Sequence, residues 1–308
     1  MVLSVCVPCF NEQDVLQEFY SRVIGVLQTV GTDSEPVFYE LIFADDGSTD
    51  GTFTAIKKIS AENPYVRYVS FTRNFGKEAA LYALLQRAQG DFICILDADL
   101  QDPPELIPKM LAAIQNGGDC CAARRTGFPK NSIRNFCTIL FYRFFNLFSD
   151  IKLECGERDY RVMSRRMVDT VLSMPERFRF SKGIYAWTGF TAKTIEYEPV
   201  KRCRGVSKWS FLKLFDYAAD AVFTFSDKSM KIVIGFGFLL MLLAVISGLA
   251  CFIIGVLNRT AGAAALFVCL FVFLAGLQLS ATGIAGLCVF RCWAELKQRP
   301  QFIVREEK

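Results

Sequence analysis

Two long stretches near the C-terminus, Ile232–Leu257 and Leu266–Phe290, contain no charged residue. A helix needs about 20 consecutive apolar residues to cross a hydrocarbon core, and both stretches exceed that length. A core helix this long would carry charges along its solvent-facing stripe. The chain has 308 residues and is 52% hydrophobic, and the apolar excess sits in these two runs. The pattern predicts two membrane-spanning helices. Only Asn258–Ala265 separates them, so they are expected to form a hairpin with both ends on one side of the bilayer. Lys228 and Lys231 precede the first run, Arg291, Lys297 and Arg299 follow the second, and the connection carries only Arg259. Flanking positive charge marks the cytoplasmic end of a span. Met1 leads into a short apolar segment without a basic region or cleavage site, so no secretory signal is expected. The expected layout is a cytoplasmic domain over residues 1–206, an amphipathic juxtamembrane region over 207–230, two transmembrane helices over 231–290 and a cytoplasmic tail over 291–308. Such a chain would be an integral protein of the cell inner membrane. Asn258-Arg259-Thr260 fits a glycosylation sequon but abuts the bilayer, and is read as chance.

The net charge of +4 is modest and gives no reason to expect nucleic acid as a partner. The 12 cysteines are scattered along the chain and there is no histidine, which argues against zinc. In a cytoplasmic domain these cysteines are expected to remain thiols.

Through residue 125 short apolar runs alternate with helical patterns. Strands are expected at Leu3–Val7, Phe38–Ala44, Val66–Phe71 and Phe92–Leu96, and helices at Val15–Val30, Gly51–Ala61, Lys77–Ala88 and Glu105–Gln115. This alternation predicts an α/β domain with a mostly parallel sheet covered on both faces. Beyond it, Ile133–Phe148 and Ser207–Phe225 mix aromatic and basic residues and fit amphipathic helices in a membrane interface or, equally for either alone, core.

Ligands of such sheets bind beyond the C-terminal strand ends. All four predicted strands end in polar clusters: Pro8-Cys9-Phe10-Asn11-Glu12, Asp45 to Thr52, Thr72 to Glu78, and Asp97 to Glu105. Convergence of all four on one rim is a stronger signal than any single charged turn. In Asp97-Ala98-Asp99, alternate residues of an extended segment would face the same side. Two carboxylates, with Gln101 as a third oxygen, suit Mg²⁺ or Mn²⁺ completed by substrate phosphates. Such an ion would neutralise a diphosphate leaving group. Asp46, Ser48 and Asp50 have the first-half spacing of a calcium loop, but its twelfth position is Lys57 instead of glutamate. Asp50 instead is expected to cap a helix opening at Gly51. Asp45 or Asp46 could then accept from a base or ribose edge, as could Glu12. No dinucleotide fingerprint or P-loop lysine motif appears in these turns.

Pro8-x-Phe10-Asn11-Glu12, Asp45-Asp46-Gly47-Ser48-x-Asp50-x-Thr52 and Asp97-Ala98-Asp99-Leu100-Gln101-Asp102-Pro103-Pro104-Glu105 resemble the inverting glycosyltransferases of family 2. Arg73 to Glu78, Asp159 to Ser164, Gly205-x-Ser207-Lys208-Trp209 and the two apolar runs narrow the resemblance to the polyprenyl-phosphate glycosyltransferases, over essentially the whole chain. The resemblance implies a GT-A-type nucleotide-sugar domain followed by a membrane hairpin. It implies that Pro8, Phe10, Glu12 and Asp46, with Asp45 and Lys77, hold the donor nucleotide. Asp97, Ala98, Asp99 and Gln101 would meet the metal and diphosphate, and Arg124, Arg134 and Ser132 the lipid phosphate. Arg202, Ser207 and Lys208 would close over the donor. Phe10 stands where a tyrosine is frequent in the family, which removes any hydroxyl contact there. Relatives of this build suggest a homotetramer, and the twin spans tilt the expected donor and acceptor towards UDP-glucose and undecaprenyl phosphate. Mannose transfer, as in dolichol-phosphate mannose synthases, is the alternative.

The chemistry agrees with these residues. A phosphate monoester is already anionic near neutral pH, so the acceptor needs no strong general base. Two anionic reactants do need cations to bring them together, which is positioning with electrostatic stabilisation. Asp159 is the one later acid given a possible catalytic role, orienting an arginine or the sugar; an ion pair with Arg158 or Arg161 is the structural alternative. A processive polysaccharide synthase would carry a Q-x-x-R-W segment, absent here. An inactive membrane scaffold would not be expected to keep Asp97 and Asp99.

Overall fold

The computed structural model describes residues 1–30, 37–115, 117–126, 157–174, 176–177, 179–198 and 263–308, with single positions 143, 146 and 246. The chain divides into two compact units, one comprising Met1–Leu147, Ile151–Ala221 and Pro300–Lys308, the other Phe148–Asp150 and Val222–Arg299.

In the first unit, β1 (Val2–Cys9), β2 (Phe38–Asp45), β3 (Val66–Phe71) and β4 (Phe92–Ile95) alternate with α1 (Gln13–Leu27), α2 (Thr52–Glu62) and α3 (Lys77–Arg87). A 3-10 turn at Pro104–Leu106 leads into α4 (Ile107–Gln115), followed by β5 (Cys120–Arg125), β6 (Glu157–Ser164), α5 (Arg165–Leu172), α6 (Ser181–Trp187) and β7 (Ala192–Tyr197). The second unit contributes α7 (Ala263–Leu296), and the chain ends in β8 (Val304–Glu307), back in the first unit.

The eight strands form one sheet in the order β7-β5-β6-β4-β1-β2-β3-β8. The first four pair in parallel. Only β6, against β4 and β5, and β8, against β3, run antiparallel. Strands buried on both faces read as continuous apolar runs, not as alternation. Leu3, Val5, Cys6 and Val7 of β1 and Leu41 and Phe43 of β2 are accordingly wholly buried. Helix α1 turns Val15, Leu16, Phe19, Val23 and Leu27 onto the sheet. Phe19 meets Phe43 edge-on with ring centroids 6.4 Å apart. Each such aromatic pair adds about 1 kcal/mol beyond the area it buries.

The expected strand and helix positions through residue 115 hold to within a few residues. Asp50 does serve the start of α2, its Oδ1 accepting from Thr52 N at 3.0 Å. The last expected helix opens as a 3-10 turn, with Pro104 at its first position. Pro300–Lys308, within the expected tail, joins the sheet unit, and β8 pairs with β3.

Helix α7 covers the second apolar run. Among the described residues, no helix is long and apolar enough to cross a membrane. The first run, 232–257, lies outside the described residues apart from Ile246, as do the segments 133–148 and 207–225 apart from Arg143 and Asn146. Every described cysteine is a free thiol.

Candidate active site

The sheet order changes direction between β1 and β4, since β2 and β3 lie to one side of β1 and β4 to the other. Loops leaving neighbouring strands on opposite faces open a crevice at such a switch point. The β1 loop carries Pro8 to Glu12, and the β4 loop carries Asp97 to Asp102.

Hydrogen bonds stitch the β1 and β2 loops together. Ser48 Oγ accepts from Asn11 N at 3.0 Å, Asn11 Oδ1 from Thr49 N at 2.9 Å, and Thr52 Oγ1 from Glu12 N at 2.8 Å. Asn11 takes a positive φ of 54°, which asparagine tolerates and which turns the chain sharply after Phe10. Gly47 is fixed more rigidly: at φ 65° its backbone lies so close to Arg73 that a Cβ would fall 2.3 Å from the Arg73 carbonyl carbon. Glu12 ends the loop as the residue before α1, with its carbonyl accepting from Val15 N and Leu16 N. Pro8 and Phe10 are half-buried beside it.

Both acids of the Asp45-Asp46 pair are bound to protein rather than open to the crevice. Asp45 is wholly buried. Its Oδ1 accepts from Ser48 N at 3.0 Å and its Oδ2 from Ser70 Oγ at 2.6 Å. Asp46 accepts from Phe75 N at 2.7 Å and Gly76 N at 2.9 Å, which sets the turn into α3. Burial outweighs these two backbone donors and pushes the Asp46 carboxyl up to about 6.

That turn delivers Lys77. Its ammonium sits 2.7 Å from Asp97 Oδ1 and 2.8 Å from Oδ2, with hydrogen-bond geometry only to Oδ2. Asp97 Oδ1 is thus buried with no directed donor. The same ammonium donates to Asp159 Oδ2 at 2.7 Å. Asp159 thus pairs with Lys77, and the charge of Arg161 also acts on it. Burial and the nearby Asp159 push Asp97 up against the pull of Lys77. Burial works against Asp159 too, but Lys77 and Lys182 outweigh it and hold that carboxyl well below its usual range.

Asp97 and Asp99 do not lie on an extended strand. β4 ends at Ile95, and Asp97 to Asp99 enter a turn that closes at Leu100 with φ 55°. The turn, not strand alternation, places both acids at the crevice. Ala98 between them is buried. Asp99 accepts from Gln101 N at 3.1 Å and from Gln101 Nε2 at 2.8 Å, while Gln101 Oε1 accepts from Arg125 at 3.2 Å. Gln101 thus braces Asp99 in this structure, with its amide oxygen turned to Arg125.

Among the described residues no group of three acidic, cysteine or histidine side chains converges to cage a metal. Two carboxylates, one with a buried oxygen that no directed donor fills, fit an ion that draws the rest of its shell from substrate phosphates.

Asp102 is nearly wholly buried beneath the turn. It accepts from Arg125 at 3.1 Å and from the Tyr197 hydroxyl, with Arg158 3.7 Å away. Arg125 is committed to this cluster, whereas Arg124, on the same strand, is more exposed and lies 3.9 Å from Glu196. Arg134, Ser132, Arg202, Ser207 and Lys208 lie outside the described residues. The sequence reading missed Asp102, Arg158 and Lys182; the D-x-x-D spacing of Asp99 and Asp102 was the available signal for the first. It also missed Arg305, which reaches Asp45 Oδ2 at 3.2 Å across 260 residues and has no local signal.

Residues 4–172 match the profile of glycosyl transferase family 2. The chain is 34% identical to the putative glycosyltransferase CsbB of Bacillus subtilis, over 99% of this chain and 92% of that one. It is 35% identical to the bactoprenol glucosyl transferase of Shigella phage SfV, over 100% of this chain and 99% of the other. It is also 35% identical to the prophage bactoprenol glucosyl transferase homolog of Escherichia coli K12, covering 100% of both. Among solved structures, the mannosyltransferase PcManGT from Pyrobaculum calidifontis overlaps 95% of this chain and 87% of its own at 16% identity and a TM-score of 0.43, too distant to transfer residue roles. The α/β sheet, its strand-end acids and the family match together make the chain a glycosyltransferase, and it belongs to glycosyl transferase family 2.

Proposed function

We propose that the chain transfers a hexose, glucose in the first instance, from a uridine-diphosphate sugar to a polyprenyl phosphate such as undecaprenyl phosphate at the cytoplasmic face of the membrane. The carrying observation is the acidic turn at the β1/β4 crevice, where Asp97 and Asp159 share the Lys77 ammonium and Asp97 Oδ1 has no directed donor. The names of the full-length bactoprenol relatives support this choice of acceptor and sugar. The apolar runs Ile232–Leu257 and Leu266–Phe290 support anchoring by a hairpin.

The loop Pro8–Glu12 borders the position for the donor base, with Ser48 and Thr52 holding its backbone. Asp97 and Asp99 would hold a Mg²⁺ or Mn²⁺ ion, which when bound neutralises the diphosphate as it leaves. Asp159 keeps Lys77 protonated beside Asp97, so the lysine can turn to the phosphates when they arrive. Arg124 of β5, the more exposed of the two adjacent arginines, is suited to the lipid phosphate. That phosphate attacks without a base, and attack opposite the departing diphosphate inverts the anomeric centre.

The test offers membranes containing the chain a panel of nucleotide-sugars with undecaprenyl phosphate, with and without Mg²⁺, and identifies the lipid product by mass. A hexosyl-phosphoprenol formed from UDP-glucose is expected. A product from a different donor alone would replace the sugar, and a chain-extended glycan would replace the reaction.

A further inference from the structure

The strand β8 connects the end of the chain to the loops of the crevice. Backbone bonds hold it against β3: Thr72 N donates to Ile303 O at 3.0 Å, and Tyr68 and Lys308 exchange bonds of 3.2 and 2.9 Å. Phe302 stacks on Phe71 with ring centroids 4.8 Å apart. This register lays Arg305 along the sheet edge, its guanidinium 4.4 Å above the Phe53 ring centroid. From there one nitrogen reaches Ser70 Oγ at 2.6 Å and Asp45 Oδ2 at 3.2 Å.

Asp45 is wholly buried, and a buried carboxylate is tolerated only with charge compensation and filled hydrogen bonds. Arg305 supplies the charge, and Ser70 and Ser48 N supply the bonds. The Ser48 held in this way accepts from Asn11 N, and Asn11 in turn accepts from Thr49 N. A continuous series of bonds thus runs from Arg305 through Asp45 and Ser48 to the loop that carries Phe10 and Glu12.

We propose that Arg305 is a positioning residue for the donor: by compensating Asp45 from the C-terminal strand, it holds the β1 and β2 loops in the shape that receives the nucleotide. This rests on the proposed function, because that reading places the base at these loops. Arg305 touches no substrate itself, so its loss should weaken donor binding while sparing the lipid.

The experiment compares the full-length wild type with Arg305→Ala, Arg305→Lys and Glu307→Ala. Glu307 belongs to the same strand but pairs with Arg87 away from Asp45, and serves as the control for strand docking. Binding of UDP and GDP by calorimetry, both Michaelis constants, and hydrogen exchange of the amides at 9–13 and 45–52 are measured. Arg305→Ala is expected to weaken nucleotide binding and raise the donor KM about tenfold, the loss typical of a charge-assisted bond. The lipid KM should stay within about twofold, a smaller change than one lost bond would give. Exchange should accelerate in both loops. Arg305→Lys should recover part of each effect, and Glu307→Ala should leave the donor KM near that of wild type. Unchanged exchange in Arg305→Ala, or an equal donor effect in Glu307→Ala, overturns the inference. If the wild type binds neither nucleotide, the proposed function fails instead, and the exchange rates still decide the role of Arg305.

Discussion

Lys77 and Asp159 lie 2.7 Å apart although 82 residues separate them in sequence, one at the start of α3 and the other on β6. The pair fixes the ammonium beside Asp97, so three side chains from three elements act as one charged unit. Removing Lys77 leaves two half-buried carboxylates without the ammonium they share. Lys77→Ala should therefore destabilise the sheet unit and abolish transfer, and Asp159→Asn in the same chain should restore part of the stability. A double-mutant cycle on chemical denaturation is expected to give a coupling of about 1–3 kcal/mol. A coupling near zero would show that the two side chains do not depend on one another.

Asp99 tests the turn without touching the lysine. Asp99→Ala should reduce transfer to background while the protein stays folded and in the membrane fraction, because the side chain is only partly buried and its partner Gln101 can turn to solvent. Circular dichroism and fractionation check the fold and location, and radiolabelled sugar transfer checks activity. Retained transfer would remove Asp99 from the metal and diphosphate site.

Asp46 carries a pH signature. Its carboxyl is raised from 3.8 to about 6 by burial, so the folded state binds this proton more tightly than the unfolded chain does. The associated stability is fully present below about pH 4 and is lost as pH rises through about 6. The upper bound is about 3 kcal/mol, from roughly two pH units at 1.36 kcal/mol each. Asp46→Asn cannot titrate. Between pH 4 and 6.5 the Tm of the wild type should fall relative to that of the variant, and parallel curves would contradict the burial argument.

Arg124 and Arg125 are adjacent in sequence and should differ in kind. Arg125→Ala strips Asp102 of a close partner, and breaking a buried pair costs about 3–5 kcal/mol. Arg124→Ala should cost less than about 0.5 kcal/mol, as surface substitutions do. It should instead raise the KM for polyprenyl phosphate more than for the sugar donor. The reverse kinetic pattern would move Arg124 to the nucleotide.

The sequence carried the first half of the fold well because parallel strands are written locally, as in Val66–Phe71, whose limits match the apolar run itself. It also carried the acidic residues of the crevice, because strand ends converge wherever such a sheet forms. What it did not carry were partners chosen in three dimensions. Asp159 next to Arg158 and Arg161 suggested a local ion pair, yet its carboxylate also takes the ammonium of Lys77, 82 residues away in sequence. The two acids of Asp45-Asp46 looked equivalent, but one faces Ser70 under the sheet edge and the other ties down Gly76. Asp97 and Asp99 were expected on an extended segment, but the strand stops at Ile95 and Leu100 closes a turn. Arg305 was invisible, since the exposed pattern of Val304–Glu307 gives an edge strand no hydrophobic period to read.

The antiparallel pairing of β8 with β3 also restricts membrane topology by simple parity. A polypeptide that departs from a folded sheet and later rejoins it must cross any intervening bilayer an even number of times. One passage or three would strand the final residues in the opposite compartment. A reporter fused after Lys308 should therefore always report the compartment of Met1, whichever way the intervening segment is threaded.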